Sequence, residues 1–158
     1  MVNYVQFELD FILTMSLRLL AACVMGRIVG FQREYPAHRP AGLRTHILVC
    51  LGSALVMVTS EYFRFIYGET FDVARIGAQV VSGIGFLGAG AILKQGFNVT
   101  GLTTAASLWA VACVGLACGS GFYTGAVFAT ILIYIVLQIL KVAKLKFEKR
   151  AGEYNITV

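Results

Sequence analysis

Apolar residues fall into five long runs, separated by short polar or basic segments. The runs span about Phe11 to Phe31, Ile47 to Phe65, Arg75 to Lys94, Leu102 to Ala117 and Phe122 to Leu140. A helix of about 20 residues is roughly 30 Å long, enough to cross the hydrocarbon of a bilayer. The pattern predicts an all-α polytopic membrane helix bundle with five transmembrane helices. The third run is unusual, because no charge lies between its basic ends, Arg75 and Lys94. Ala78, Ser82, Gly85 and Ala89 recur at helical steps and share one face; Gly77 and Gly88 share a second, and Gly83 and Gly90 a third. In lipid the backbone must bond to itself, and small residues let neighbouring helices approach closely. A Gly-rich third helix is therefore expected at the centre of the bundle, either as packing alone or as a close path for a ligand or partner through Ser82, Gly85 and Gly88.

Polar residues inside or beside the runs are the candidates for chemistry. The first run carries Arg18, Arg27 and a Gly26-x-x-x-Gly30 pair that allows a homodimer or an intrachain contact. Arg18 lies deep, where an unpaired charge is costly. Asp10 is two turns away, too far for a direct pair, so Arg18 is expected to reach water or a polar group on another helix. The first loop, residues 32–46, holds two prolines, Arg33, Glu34, Arg39 and Arg44, and leads to Thr45 and His46. It could cradle an anion or lipid headgroup through guanidinium forks, or serve only as a cytoplasmic anchor. In the second loop, Asp72 and Arg75 are spaced for a local i, i+3 ion pair. The fourth run opens on Thr103 and Thr104, with Trp109 expected as a packing wedge. Residues 1–145 are read as a five-span domain. Residues 146–158 are read as a basic tail whose Glu153 to Val158 resembles the opening of a strand, the start of a soluble domain.

Composition narrows the class. The 158 residues are 58% hydrophobic and 13% charged, against about 25% charged in soluble domains. The net charge of +5 follows membrane topology and implies no nucleic acid. With five spans, Arg27, Arg33, Arg39, Arg44, Lys94 and the basic tail share one side, while Arg64 and Arg75 lie on the other. The positive-inside rule then places the N-terminus outside and the C-terminus in the cytoplasm. The first span lacks a basic n-region and a cleavage signal, so it is expected to be retained. Cys23, Cys50, Cys113 and Cys118 all sit in apolar runs and read as small hydrophobes, with no metal or cofactor implied. The only histidines are His38 and His46. No nucleophile, base and orienter set and no phosphate-binding glycine loop stands in the chain, so it is not expected to be an enzyme.

A short repeat stands out. Gly42-Leu43-Arg44-Thr45 and Gly101-Leu102-Thr103-Thr104 share a Gly-Leu-x-Thr pattern, each following a glycine, Gly26 or Gly85, by 16 residues. A parallel duplication would bring the two turns together on the cytoplasmic side.

The chain resembles the MgtC/SapB family of bacterial inner-membrane proteins. The resemblance rests on Gly30-Phe31-Gln32-Arg33-Glu34 followed by Pro40-Ala41-Gly42-Leu43-Arg44-Thr45-His46. It rests also on Val80-Val-Ser-Gly-Ile-Gly-Phe-Leu-Gly-Ala-Gly90 and on Gly101-Leu-Thr-Thr-Ala-Ala-Ser-Leu-Trp109. Gln32 stands where family members often carry Glu. The resemblance implies a five-span domain, often followed by a cytoplasmic ACT-like domain. It also implies a link to growth at low magnesium, to virulence, and to inhibition of the membrane sector of ATP synthase. Two functions follow. One is a non-enzymatic regulator acting by helix-helix contact. The other is a small oligomeric transporter or channel for Mg2+ or another ion, with Asp10, Arg18, Asp72, Arg75, Thr103 and Thr104 along its path.

Overall fold

The computed structural model describes residues 2–34, 41–68, 70–95 and 97–154, with side chains described over 9–34, 41–68, 70–94 and 97–139. Five helices appear in order: α1 (Val2–Glu34), α2 (Leu43–Tyr67), α3 (Val73–Gly90), α4 (Leu102–Gly119) and α5 (Tyr123–Tyr154). Among the described residues, the α1 segment Leu9–Glu34 and helices α2, α3 and α4 are each long and apolar enough to cross a membrane. The fifth helix opens with the apolar stretch Tyr123–Ile139. The molecule is an all-α membrane bundle.

Helices extend beyond the apolar runs. The first continues to Glu34, which makes Gln32, Arg33 and Glu34 helical rather than loop residues. The second begins at Leu43, which places Arg44, Thr45 and His46 in its first turn. In both cases a polar sequence completes a helical turn whose backbone would otherwise be unsatisfied near lipid. Arg39 and His38 lie outside the described residues. The third loop holds structure that hydropathy does not show, because α3 stops at Gly90. A two-stranded antiparallel hairpin follows, β1 (Leu93–Gln95) and β2 (Asn98–Thr100), pairing Leu93 with Thr100 and Lys94 with Val99. The chain leaves it through Gly101 at φ 91°, where a side chain would also run into the carbonyl of Ala91. At the other end, α5 stays helical through Glu153 and Tyr154, where a strand was expected to open. The remainder of that expected strand, residues 155–158, lies outside the described residues.

The centre of the bundle is α4, not α3. The fourth helix packs against each of the other four. It buries Thr104, Ser107, Leu108, Val111, Ala112, Val114, Gly115, Cys118 and Gly119. By contrast α3 buries only Gly77, Ile84 and Gly88, while Ala78, Ser82, Gly85 and Ala89 are exposed. A methyl group added at Gly83, Gly85 or Gly90 would meet nothing within 4 Å. The expectation of a Gly-rich central third helix is therefore corrected. Small side chains permit close approach on whichever helix carries them. The fourth helix adds hydroxyls that require protein partners in lipid, and that draws it inward.

Glycine sets the tightest seams. At Gly26 an added Cβ would lie 2.9 Å from both the Cys50 Cβ and the His46 carbonyl oxygen; at Gly30 it would lie 3.0 Å from the His46 Cβ. The Gly26-x-x-x-Gly30 pair thus joins α1 to α2 within one chain. Cys50 and Cys118 are buried beside Ala22, Val29, Ala54 and Val111 as small apolar groups. Trp109 is half exposed rather than wedged into the core.

Candidate functional site

A polar cluster joins the end of α1 to the starts of α2 and α4. Gly42 and Gly101 hold the same N-cap position, on α2 and α4. Neither offers a side-chain cap, so the first N–H groups need other acceptors. Glu34 supplies one: its Oε2 accepts the Leu43 N–H at 2.7 Å. The Gly42 carbonyl accepts the His46 N–H at 3.2 Å and lies 2.8 Å from His46 Nδ1. A carbonyl can only accept, so Nδ1 carries a proton. The His46 ring, fully buried, places Nε2 3.0 Å from the Ser107 hydroxyl. The Ser107 hydroxyl also lies 2.8 Å from the Thr104 carbonyl, a second acceptor within its reach. Arg33, only 5% exposed, donates from Nη2 to the Thr104 hydroxyl at 2.5 Å. Next to it, Gln32 Nε2 donates to the Tyr134 carbonyl of α5 at 3.2 Å.

The Ser107 hydroxyl has a single hydrogen and two acceptors within reach. With neutral His46 it donates to Nε2; with His46 protonated on both nitrogens it donates to Thr104, and Nε2 donates to it. The residue after the first Gly-Leu-x-Thr turn, His46, reaches Ser107, whose hydroxyl lies beside the carbonyl of Thr104 in the second. Ser107 and His46 lack a carboxylate orienter, since Nδ1 is held by a backbone carbonyl.

The other expected site residues are dispersed. Thr45 is half-buried, while Asp10, Arg44, Arg75, Ser82, Gly85 and Thr103 are exposed. Gly88 is buried against Ala105, whose Cβ would lie 3.6 Å from an added Cβ, in van der Waals contact. Asp72 does not form the expected pair with Arg75; its carboxylate caps α3, accepting the Ala74 N–H at 3.1 Å. A short polar residue at that position satisfies an orphan donor, which a pair across one turn does not.

Arg18 lies at the opposite end of α4, roughly 22 Å from Thr104 at 1.5 Å rise per residue. Its Nη1 donates to the Gly119 carbonyl at 2.8 Å and lies 3.7 Å from Glu61. A cation on the last free carbonyls of a helix also complements the helix dipole. Glu61 in turn lies 3.5 Å from Arg64. Sequence reading missed Glu61, although an acid within an apolar run opposite a deep arginine is itself a signal. Arg18→Met should lower the thermal-unfolding midpoint in detergent, for a loss of about 1–3 kcal/mol. In Glu61→Gln the same change should cost less; strict additivity would separate the two groups. Among the described residues, no group of three His, Cys, Asp or Glu side chains could hold a metal ion.

Comparison with known proteins fits this architecture. The family model described as MgtC family matches residues 19–145. Protein MgtC of Brucella abortus (strain 2308) is 45% identical over 142 residues, covering 88% of this chain and 58% of the relative. Protein MgtC of Salmonella typhimurium (strain LT2) is 44% identical over 127 residues, covering 80% and 52%. A relative from Escherichia coli (strain K12), named "Putative magnesium transporter YhiD", is 40% identical over 127 residues, covering 78% and 59%. The chain thus spans between 52% and 59% of the length of these relatives. No solved structure matches it significantly. The matched segment takes in α2, α3 and α4 whole with parts of α1 and α5, and the chain belongs to the MgtC family.

Proposed function

We propose that this protein is a non-enzymatic regulator in the bacterial inner membrane, linked to magnesium adaptation and acting by helix-helix contact through α3. One observation carries this reading. The face of α3 formed by Ala78, Ser82, Gly85 and Ala89 is exposed, and an added Cβ at Gly85 meets nothing within 4 Å. In lipid, such a face lets another helix approach closely, and that close packing helps drive association there. The partner is a membrane-embedded protein, such as the membrane sector of ATP synthase. A second copy of the chain is the competing occupant. Basic residues place the C-terminus in the cytoplasm and the N-terminus outside, with residues 1–145 as the membrane domain and 146–158 as a basic tail. Arg33, Glu34, His46 and Thr104 hold the inner end of the bundle in this scheme.

Gly85→Leu should reduce co-purification of the membrane partner several-fold while leaving thermal stability unchanged. Gly88→Leu, which faces Ala105, should also lower stability. Retained association in a folded Gly85→Leu protein would overturn the reading. The name of the Escherichia coli relative favours a second reading, a magnesium transporter. Purified protein that sustains Mg2+ flux in proteoliposomes would favour that reading over the first.

A further inference from the structure

An apolar groove of about 540 Å³ runs along the seam between α4 and α5. Small residues on α4, Ala106 and Ala110, face large ones on α5, Leu132 and Val136, and no described residue fills the gap. Leu132 and Val136 are about half exposed, so the groove opens on the outer surface of the bundle. In a membrane protein that surface meets acyl chains. Two hydroxyls interrupt the apolar lining, Thr103 and Ser107. Ser107 is 3% exposed and is the residue hydrogen-bonded to His46, so the groove reaches the buried polar cluster.

Charge selects the occupant. Helix α5 runs on without a break beyond Leu137, and its sequence turns basic one and two turns later, at Lys141 and Lys144. Basic residues at the end of a seam between membrane helices suit an anionic headgroup. A zwitterionic headgroup, which carries its own cation beside the phosphate, gains less from them. We propose that the α4–α5 groove binds an anionic phospholipid, with one acyl chain along Ala106, Ala110, Leu132 and Val136 and the headgroup at the basic end. The site goes beyond the regulatory reading, because it uses a different seam and a lipid rather than a helix.

Trp109 supplies the probe. It is the only tryptophan, it is half exposed, and it lies within one helical turn of Ala106 and Ala110. The protein is reconstituted in phosphatidylcholine vesicles containing a small mole fraction of brominated phosphatidylglycerol. Quenching of Trp109 should exceed the value expected from that mole fraction several-fold, while brominated phosphatidylcholine at the same fraction should quench in proportion. Ala106→Phe fills the groove and should return the phosphatidylglycerol signal to proportion. Val136→Phe does the same from the opposite wall, should the first variant not fold. Lys141→Gln combined with Lys144→Gln should remove the preference with the groove intact. Proportional quenching in the wild type overturns the assignment. So does quenching below proportion, the result expected if a second copy covers the groove. A preference retained in either the filled or the charge-depleted variant overturns it too.

Discussion

Gly115→Leu is expected to abolish the folded bundle. A Cβ at Gly115 would overlap the Cys50 carbonyl oxygen and lie 2.8 Å from the Ser53 Cβ. One turn later, an added Cβ at Gly119 would overlap the Ala54 carbonyl oxygen and lie 2.7 Å from the Met57 Cβ. The obstacle at both positions is helix backbone, which cannot swing aside as a side chain can. Separation of α2 from α4 is the only relief, and it would also pull on the His46 and Ser107 contact at the other end of the seam. Overpacking by a single methylene costs about 1–3 kcal/mol in a close-packed interior, so even Gly115→Ala should lower the unfolding midpoint measurably. The leucine variant should lose its monodisperse size-exclusion peak in detergent and its cooperative thermal transition. Gly85→Leu makes the same chemical change on an open face and should leave both measurements where they are. A stable Gly115→Leu protein would mean that α2 and α4 do not approach along this seam.

That contrast also marks what the sequence makes legible. Five apolar runs announce five helices, because run length and hydropathy answer to a fixed bilayer thickness. The order of burial does not follow from the same signal. The stripes Ala78, Ser82, Gly85, Ala89 and Ala106, Ala110, Cys113, Ala117 look alike on paper. What separates their helices is the partnering of Thr104 and Ser107 with Arg33 and His46, which depends on residues about 60 to 70 positions away. Hydropathy also places helix ends short, since the polar turns Gln32 to Glu34 and Leu43 to His46 are helical only through contacts across the loop, such as Glu34 with Leu43. The β1–β2 hairpin was hidden for a related reason: strands of three residues carry too little periodicity to read. Arg18 was expected to find a polar group on another helix, and it does, at Gly119. Its carboxylate neighbour Glu61 lies inside the second apolar run, where hydropathy averages a single charge away.

His46 should show the second large effect, because it is the point where α1, α2 and α4 touch. Its ring is fully buried, its Cβ lies under Gly30, and its two nitrogens reach Gly42 and Ser107. His46→Ala removes two hydrogen bonds and opens a cavity, and large-to-small changes of this kind cost about 2–5 kcal/mol. The thermal midpoint in detergent should fall accordingly. His46→Asn divides the loss, since an asparagine amide N–H stands near the position of Nδ1–H. It can still donate to the Gly42 carbonyl and cannot span to Ser107. Ser107→Ala should therefore lower stability in the wild type and change little in the His46→Asn background. Coupled neighbours differ from additivity by about 0.5–3 kcal/mol, and hydrogen bonds between membrane helices fall near the lower end, at about 0.6 kcal/mol. A double-mutant cycle on midpoints reads that difference directly. Additive losses would show that Ser107 and His46 share a distance without an energy, and would leave His46 as a spacer beneath Gly30 rather than the link between α2 and α4.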